Sequence, residues 1–168
     1  MRVLGVDCGG VFTGYGIVEA DSAGKLLCID CGAIKLVARD PLPLRLSRIY
    51  RELESLIREH GPDEVAIEEV FYALNVKSAL TLGQVRGVAM LAAAVAGLPV
   101  AEYSPLTIKS SVVGYGRAEK RQVQHMVTRL LQLERVPEPL DASDALAIAI
   151  CHLHSATTLE RQGVAPLK

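Results

Sequence analysis

Met1-Arg2-Val3-Leu4-Gly5-Val6-Asp7-Cys8-Gly9-Gly10 opens the chain, and its reading decides the fold. Val3, Leu4 and Val6 make a short apolar run with β-branched members that closes on an acidic residue and a glycine pair. Such a run is a buried strand ending in a turn. It delivers Asp7 to the strand's carboxyl end, where open α/β sheets bind their ligands. An Asp before glycine also serves simply to cap a turn, so Asp7 gains weight only if other carboxylates arrive beside it.

Working outward, a second strand covers residues 13–18 and a third 25–37, with the turn chemistry of Asp21-Ser22-Ala23-Gly24 between them. These two form a hairpin. Pro41 and Pro43 open a helix whose Leu46, Ile49, Tyr50, Leu53, Leu56 and Ile57 keep the i, i+3, i+4, i+7 spacing until Gly61-Pro62 stops it. A fourth strand over 64–70 is nearly all apolar before Glu68 and Glu69. The next helix, 76–96, is apolar on every side from Gly87 onward, which marks burial in the core or partly against another subunit. A short strand over 99–103 and a brief helix over 105–112 follow. The Gly114-Tyr115-Gly116 loop leads to a basic helix over 118–133 and, after Pro137 and Pro139, to a last helix over 141–154. One domain is expected over 1–157, with a polar tail over 158–168. Three strands in meander, then strands alternating with helices, give a mixed α/β sheet with helices on both faces.

A chain of 168 residues holds one domain with a proper core and is too short for two. With 50% hydrophobic residues it is not a disordered chain. The opening apolar run is broken by Asp7, and the longest one, 88–101, contains Gly97 and Pro99. Both fall short of the roughly 18–20 residues a membrane span needs, so the expected location is the cytoplasm. Of the four cysteines, Cys28 and Cys31 have C-x-x-C spacing. On a strand, residues three apart face opposite sides, which favours reduced thiols over a zinc knuckle. A net charge of −1 does not mark a nucleic-acid binder. Between 109 and 135, however, Lys109, Arg117, Lys120, Arg121, Arg129 and Arg135 outnumber Glu119 and Glu134. That is either a solvated helix face or a surface for a partner with phosphates.

Asp7 and Glu68 each end an apolar strand, and as parallel neighbours those ends would lie about 5 Å apart. Glu68 and Glu69 face opposite sides, and periodicity does not choose between them. Asp141 and Asp144 share one helix face at i, i+3 spacing. Capping also explains that pair, with Asp141 as N-cap and Asp144 in the capping-box place. Gathered together without a cation, such carboxylates repel: two charges about 4 Å apart cost about 4 kcal/mol at an effective dielectric of about 20. Mg²⁺ or Mn²⁺, hard cations with oxygen ligands, remove that cost. Two such ions can activate a water and stabilise the leaving oxygen in phosphodiester cleavage.

The motifs, in this order, resemble the RuvC family of bacterial Holliday-junction resolvases over nearly the whole chain. The matching blocks are Gly5-Val6-Asp7 with Thr13-Gly14-Tyr15-Gly16, then Ala66-Ile67-Glu68-Glu69-Val70-Phe71. Asn75, Ser78-Ala79, Leu82-Gly83-Gln84 and Arg86-Gly87 follow, then Val112-Val113-Gly114, Ala118-Glu119-Lys120 and Gln122-Val123-Gln124-His125-Met126-Val127. Asp141-Ala142-Ser143-Asp144-Ala145-Leu146-Ala147-Ile148-Ala149 completes the set.

The resemblance implies an RNase H-like (retroviral-integrase-like) five-stranded mixed sheet, a homodimer and a Mg²⁺-dependent endonuclease. Two ions per site are implied, with Mn²⁺ as a substitute, and paired symmetric nicks in four-way junction DNA during recombination and repair. It carries the catalytic and metal-binding roles to Asp7, Glu68, Asp141 and Asp144, and so chooses Glu68 over Glu69. Lys109 and Lys120 match basic residues near the scissile backbone, and Phe71 an aromatic that stacks on bases of the opened junction. Arg117 and Arg121, from the basic stretch, complete the expected DNA-binding set. The helix over 76–96 corresponds to the dimer region, and the RuvA–RuvB branch-migration complex is the implied partner.

The chain departs from the family at the turn after the first Asp. Members usually have Pro-Gly and then Ser or Thr, whereas Cys8-Gly9-Gly10 lacks the hydroxyl. Glu69 adds a charge where members often carry a neutral residue. Three rival readings exist. A nuclease for structured RNA would use the same fold, and a junction-binding module would dispense with the carboxylates. The phosphate loop of the actin and sugar-kinase superfamily needs two domains that this length does not supply.

Overall fold

The computed structural model describes residues 1–69 and 76–161. The opening apolar run becomes β1 (Arg2–Asp7), the central strand of a five-stranded sheet. β2 (Phe12–Ala20) and β3 (Leu26–Lys35) extend the sheet antiparallel on one side of β1. β4 (Glu64–Glu68) and β5 (Val100–Tyr103) extend it parallel on the other, giving the order β3-β2-β1-β4-β5. Val3, Leu4 and Val6 are no more than 1% exposed, because helices cover β1 on both faces.

Helices α1 (Leu42–His60) and α2 (Val76–Val95) lie on one face, packed on Leu4, Val6, Ile17, Val65 and Ile67. Helices α3 (Pro105–Val113), α4 (Lys120–Leu130) and α5 (Leu140–Arg161) lie on the other, around Val3, Val18 and Ala66. Alternate strand residues feed the two cores, as the pleat dictates.

Three glycines let α5 sit unusually close to the sheet. A Cβ on Gly5 would come 2.1 Å from the Ala145 carbonyl oxygen, and one on Gly14 would come 2.1 Å from that of Asp141. A Cβ on Gly16 would come 2.7 Å from the Leu146 amide nitrogen. No side chain fits at any of these positions, so backbone packs on backbone along two turns of α5.

Four local expectations are corrected. The β2–β3 register shifts so that Ile17 faces Asp30 while Val18 faces Cys28, leaving Ile29 as an extra residue. This β-bulge changes the strand's parity. Cys28 (opposite Val18) and Cys31 (opposite Gly16) therefore pack against the same core under α5, not on opposite sides. Helix α5 starts at Leu140, which places Asp141 inside its first turn rather than at the N-cap. It also runs past His154, and the expected tail from 158 begins as helix. Ser155, Thr157 and Thr158 return their hydroxyls to the carbonyls of Cys151, Leu153 and His154 at 2.8–2.9 Å, so these polar residues continue the helix. Helix α4 is shorter than expected. The Glu119 amide donates to the Gln122 side chain at its start, and Gln132, at φ 53°, turns the chain left-handed beyond its end.

By length and composition α2 could cross a membrane, although no run of the sequence looks long enough. Its Val85, Ala89, Ala92 and Ala93 are instead buried in the core shared with α1 and the sheet.

Candidate active site

Parallel pairing of β1 with β4 in the register Val6 to Ile67 sets Asp7 and Glu68 side by side at the carboxyl ends of adjacent strands. Ala66 packs in the α5 core and Ile67 in the α1–α2 core. Alternation then puts Glu68 on the α5 side and Glu69 on the other. Asp7 lies opposite Gly14 in the β1–β2 ladder, and the space left by the missing Gly14 side chain receives the Asp141 backbone. One glycine thus brings the first turn of α5 over Asp7.

The result is a cleft of about 270 Å³ whose polar walls are Asp7, Glu68, Asp144, Lys109 and Lys120, and whose apolar floor includes Ile108, Val123 and Ile148. Asp141 does not line this cleft, but its charge reaches Asp7, Asp144 and Lys120. Lys120, the first residue of α4, places Nζ 2.5 Å from Asp144 Oδ2.

Burial and mutual repulsion show in the acids. Asp7 is pushed up to about 7, first by burial and then by the charges of Asp144, Glu68 and Asp141, with Lys120 opposing. Glu68 is raised by burial and by Asp144, against the pull of Lys109 and Lys120. Asp144 is raised by burial despite its bond to Lys120. Burial of Lys120 favours its neutral form, but the hydrogen bond and charge of Asp144 outweigh it and raise the ammonium's value. Beside Asp7, burial and the Asp7 charge push the Cys8 thiol up to about 12.

An all-oxygen donor set on rigid elements, under strong like-charge repulsion, is chemically suited to a hard divalent cation. As the side chains are oriented, no three Asp, Glu, His or Cys groups among the described residues are close enough to enclose one ion. The cation inside the cluster is the Lys120 ammonium.

The structure therefore brings together Asp7, Glu68, Asp144, Lys109 and Lys120, with Asp141 beside them. Arg117 and Arg121 are exposed and outside the cleft lining. Phe71 lies outside the described residues, as do Val70 and Asn75. Two supports of the turn after Asp7 were not singled out from the sequence for this role. Arg45 Nη1 donates to the Gly10 carbonyl at 3.1 Å, and Thr13 Oγ1 donates to that of Gly9 at 3.3 Å. Nothing in the α1 pattern distinguishes Arg45 from the other arginines of that helix. Thr13 carried a signal, since it is a hydroxyl inside an apolar strand, and the fold buries it completely.

A family model described as crossover junction endodeoxyribonuclease RuvC matches residues 3–152. The chain is 65% identical over 161 residues to the crossover junction endodeoxyribonuclease RuvC of Koribacter versatilis, covering 96% of this chain and 97% of that one. A solved structure of RuvC from Thermus thermophilus matches with a TM-score of 0.85 at 33% identity, over 98% of both chains. RuvC of T. thermophilus in complex with Holliday junction substrate matches at 0.86 with 30% identity, over 94% of this chain and 96% of that one.

Proposed function

The chain belongs to the RuvC family of crossover junction endodeoxyribonucleases, and we propose that it resolves four-way DNA junctions by paired, symmetric phosphodiester hydrolysis at the carboxylate cleft. It is a divalent-metal-dependent nuclease of recombination and repair. The observation that carries the site assignment is the meeting of Asp7, Glu68 and Asp144 in one cleft with Lys109 and Lys120.

Asp7, Glu68, Asp141 and Asp144 are the proposed ligands of Mg²⁺, two ions per site, with Mn²⁺ as a substitute. Bound there, such ions supply an ionised water near neutral pH and charge at the leaving oxygen. Asp7 titrates near neutrality, so a cation beside it keeps it ionised. Glu68, fixed at the end of β4, holds the second strand's contribution in place. Lys120 is already on Asp144. With Lys109 across the cleft it faces the position of the scissile phosphate, where both attract the backbone and offset its charge. Arg117 and Arg121, exposed near the start of α4, extend this cationic surface along the DNA arms. Phe71 keeps its proposed stacking role on the strength of the family match.

Paired nicks call for two sites, and the proposed homodimer forms through α2. Val76, Leu80, Leu91 and Val95 are 54–77% exposed there, an apolar stripe of the kind that marks an interface. Family membership is the support for cytoplasmic action alongside the RuvA–RuvB complex.

A synthetic four-way junction and a linear duplex of the same sequence, each with Mg²⁺, Mn²⁺ or EDTA, test the reading. Symmetric nicks are expected only in the junction and only with metal. Equal cutting of the duplex, or cutting in EDTA, would overturn it, and junction binding without nicks in any lane would reduce the chain to a binding module.

A further inference from the structure

Strand β3 carries two thiols that the cleavage site does not use. It is an edge of the sheet, and both of its thiols keep part of their surface in solvent. The bulge at Ile29 puts Cys28 and Cys31 opposite Val18 and Gly16, residues two apart on β2. Two strand steps span about 6.6–6.8 Å, the upper part of the Cα separation that a disulfide tolerates. Both thiols are free and half-buried, on the same face of the strand, and pack against the same core. The Asp30 carboxylate accepts the Cys31 amide at 2.8 Å and fixes the bulged backbone. Cys151, in contrast, is fully buried in the core.

We propose that Cys28 and Cys31 are a vicinal-dithiol modification site that peroxides oxidise to an intrachain disulfide. Pairing with the neighbouring thiol holds Cys31 below its ordinary value and, together with burial, pushes Cys28 above its own. Cys31 is therefore the nucleophile. Its thiolate attacks one peroxide oxygen, the O–O bond breaks, and hydroxide leaves, leaving a sulfenic acid on Cys31. Taking up the proton that Cys31 gave up, the hydroxide becomes water. The Cys28 sulfur then attacks the Cys31 sulfur. An S–S bond forms, the S–O bond breaks, and hydroxide departs with the Cys28 proton as a second water. Two thiols lose two electrons in all, and the peroxide gains both. A bridge at the edge of the permitted separation is strained and readily reduced again by thiols.

The test uses full-length reduced protein treated with hydrogen peroxide, blocked with N-ethylmaleimide, digested with trypsin and weighed. The segment Leu26–Lys35 holds both thiols and no other cysteine. It should lose the mass of two hydrogens and both alkylation sites at least about tenfold faster than Cys151 is modified, and dithiothreitol should restore both. In Cys28→Ser a sulfenic acid on Cys31 should persist and be trapped by dimedone, with no bridge. In Cys31→Ser the rapid reaction of this segment should disappear. Equal rates at Cys28, Cys31 and Cys151, or a bridge between two chains in place of the intrachain one, would overturn the proposal.

Discussion

Helix α2 and helix α5 are both long, apolar on almost every side and without a dominant polar face. In α5, Ala145, Leu146, Ala149, Ile150 and Cys151 are fully buried, whereas Val76, Leu80, Leu91 and Val95 of α2 stand in solvent. The sheet makes the difference. Beneath α5 it offers Gly5, Gly14 and Gly16, so the helix sinks onto the strands and is then covered by α3 and α4. Toward α2 it offers the full side chains of Leu4, Val6 and Ile67, and α1 shares the space. An apolar helix pattern therefore announces a need for burial, and the surface opposite decides whether the chain itself meets that need. Helix α5 finds its cover within the fold and carries two of the four proposed ligands. Helix α2 is left with an exposed apolar stripe, the face of the proposed homodimer.

The sharpest test lies on the α5 face, where function works against stability. Asp7 is raised from 3.8 to about 7 by burial and by Asp144, Glu68 and Asp141. Between those values the folded chain binds more proton than the unfolded one, so stability falls as pH rises through that window and levels off above it. The shift of about three pH units bounds the loss at about 4 kcal/mol. Asp7→Asn should abolish metal-dependent junction cleavage and keep junction binding. Without metal, it should melt higher than the parent at pH 8 and equally at pH 4. Thermal melts across pH, paired with a nicking assay, check both halves. Unchanged cleavage would remove Asp7 from the mechanism, and a parent melting point independent of pH would remove the repulsion.

Gly14→Ala should be next in effect. The added methyl would lie 2.1 Å from the Asp141 carbonyl oxygen, so the first turn of α5 must rise. Overpacking of this kind costs about 1–3 kcal/mol, and a carboxylate displaced by about 1 Å costs about a hundredfold in rate. Cleavage should fall by at least that factor while junction binding persists. A variant with full activity would mean that the glycine seat does not position Asp141 and Asp144.

How far the sequence reads through to this arrangement depends on the element. The strand-to-carboxylate pattern of β1 and β4 is legible because two apolar runs each close on acidic residues, although at Asp7 alone a turn cap reads equally well. The choice of Glu68 over Glu69 is not in the periodicity, since both faces of β4 are covered, and it came from the family resemblance. The bulge at Ile29 is invisible in a run of residues that all suit a strand. One extra residue there reverses the facing of everything beyond it, which is why Cys28 and Cys31 read as apart and fold together. Arg45 reads as one arginine among several on an amphipathic helix, and its contact with the Gly10 carbonyl comes only from tertiary packing.

On the α2 side the expected effects are on assembly rather than on folding. Leu91 is 54% exposed, so Leu91→Glu should change monomer stability by no more than about 0.5 kcal/mol. An unpaired polar group buried at an interface costs about 1–3 kcal/mol. The dimer Kd should therefore rise by roughly tenfold to a hundredfold. Sedimentation at graded concentrations should show monomer, and junction nicks should become single rather than paired. An unaltered dimer would place the interface elsewhere and leave the exposed stripe of α2 unexplained.

The smallest effect belongs to the turn where the two faces meet. Gly9 and Gly10 look interchangeable in sequence and are not. A Cβ on Gly9 would lie 2.1 Å from the Phe12 carbonyl oxygen, whereas one on Gly10 would meet only the Thr81 methyl of α2, at an ordinary 3.8 Å. Gly10 also has no left-handed φ, so Gly10→Ser fits without strain. Restricting the unfolded chain should then stabilise the protein by about 0.4–1 kcal/mol. The change returns the hydroxyl that family members usually carry three residues after the first Asp, the proposed ligand Asp7. Because Arg45 already holds the Gly10 carbonyl and Thr13 that of Gly9, the cleavage rate should stay within about threefold of the parent, a difference below about 1 kcal/mol. A larger rise in rate would show that the backbone clamps do not replace the hydroxyl, and that this chain runs its first carboxylate below its potential. A loss would mean that the turn needs the freedom of a glycine pair to seat Asp7.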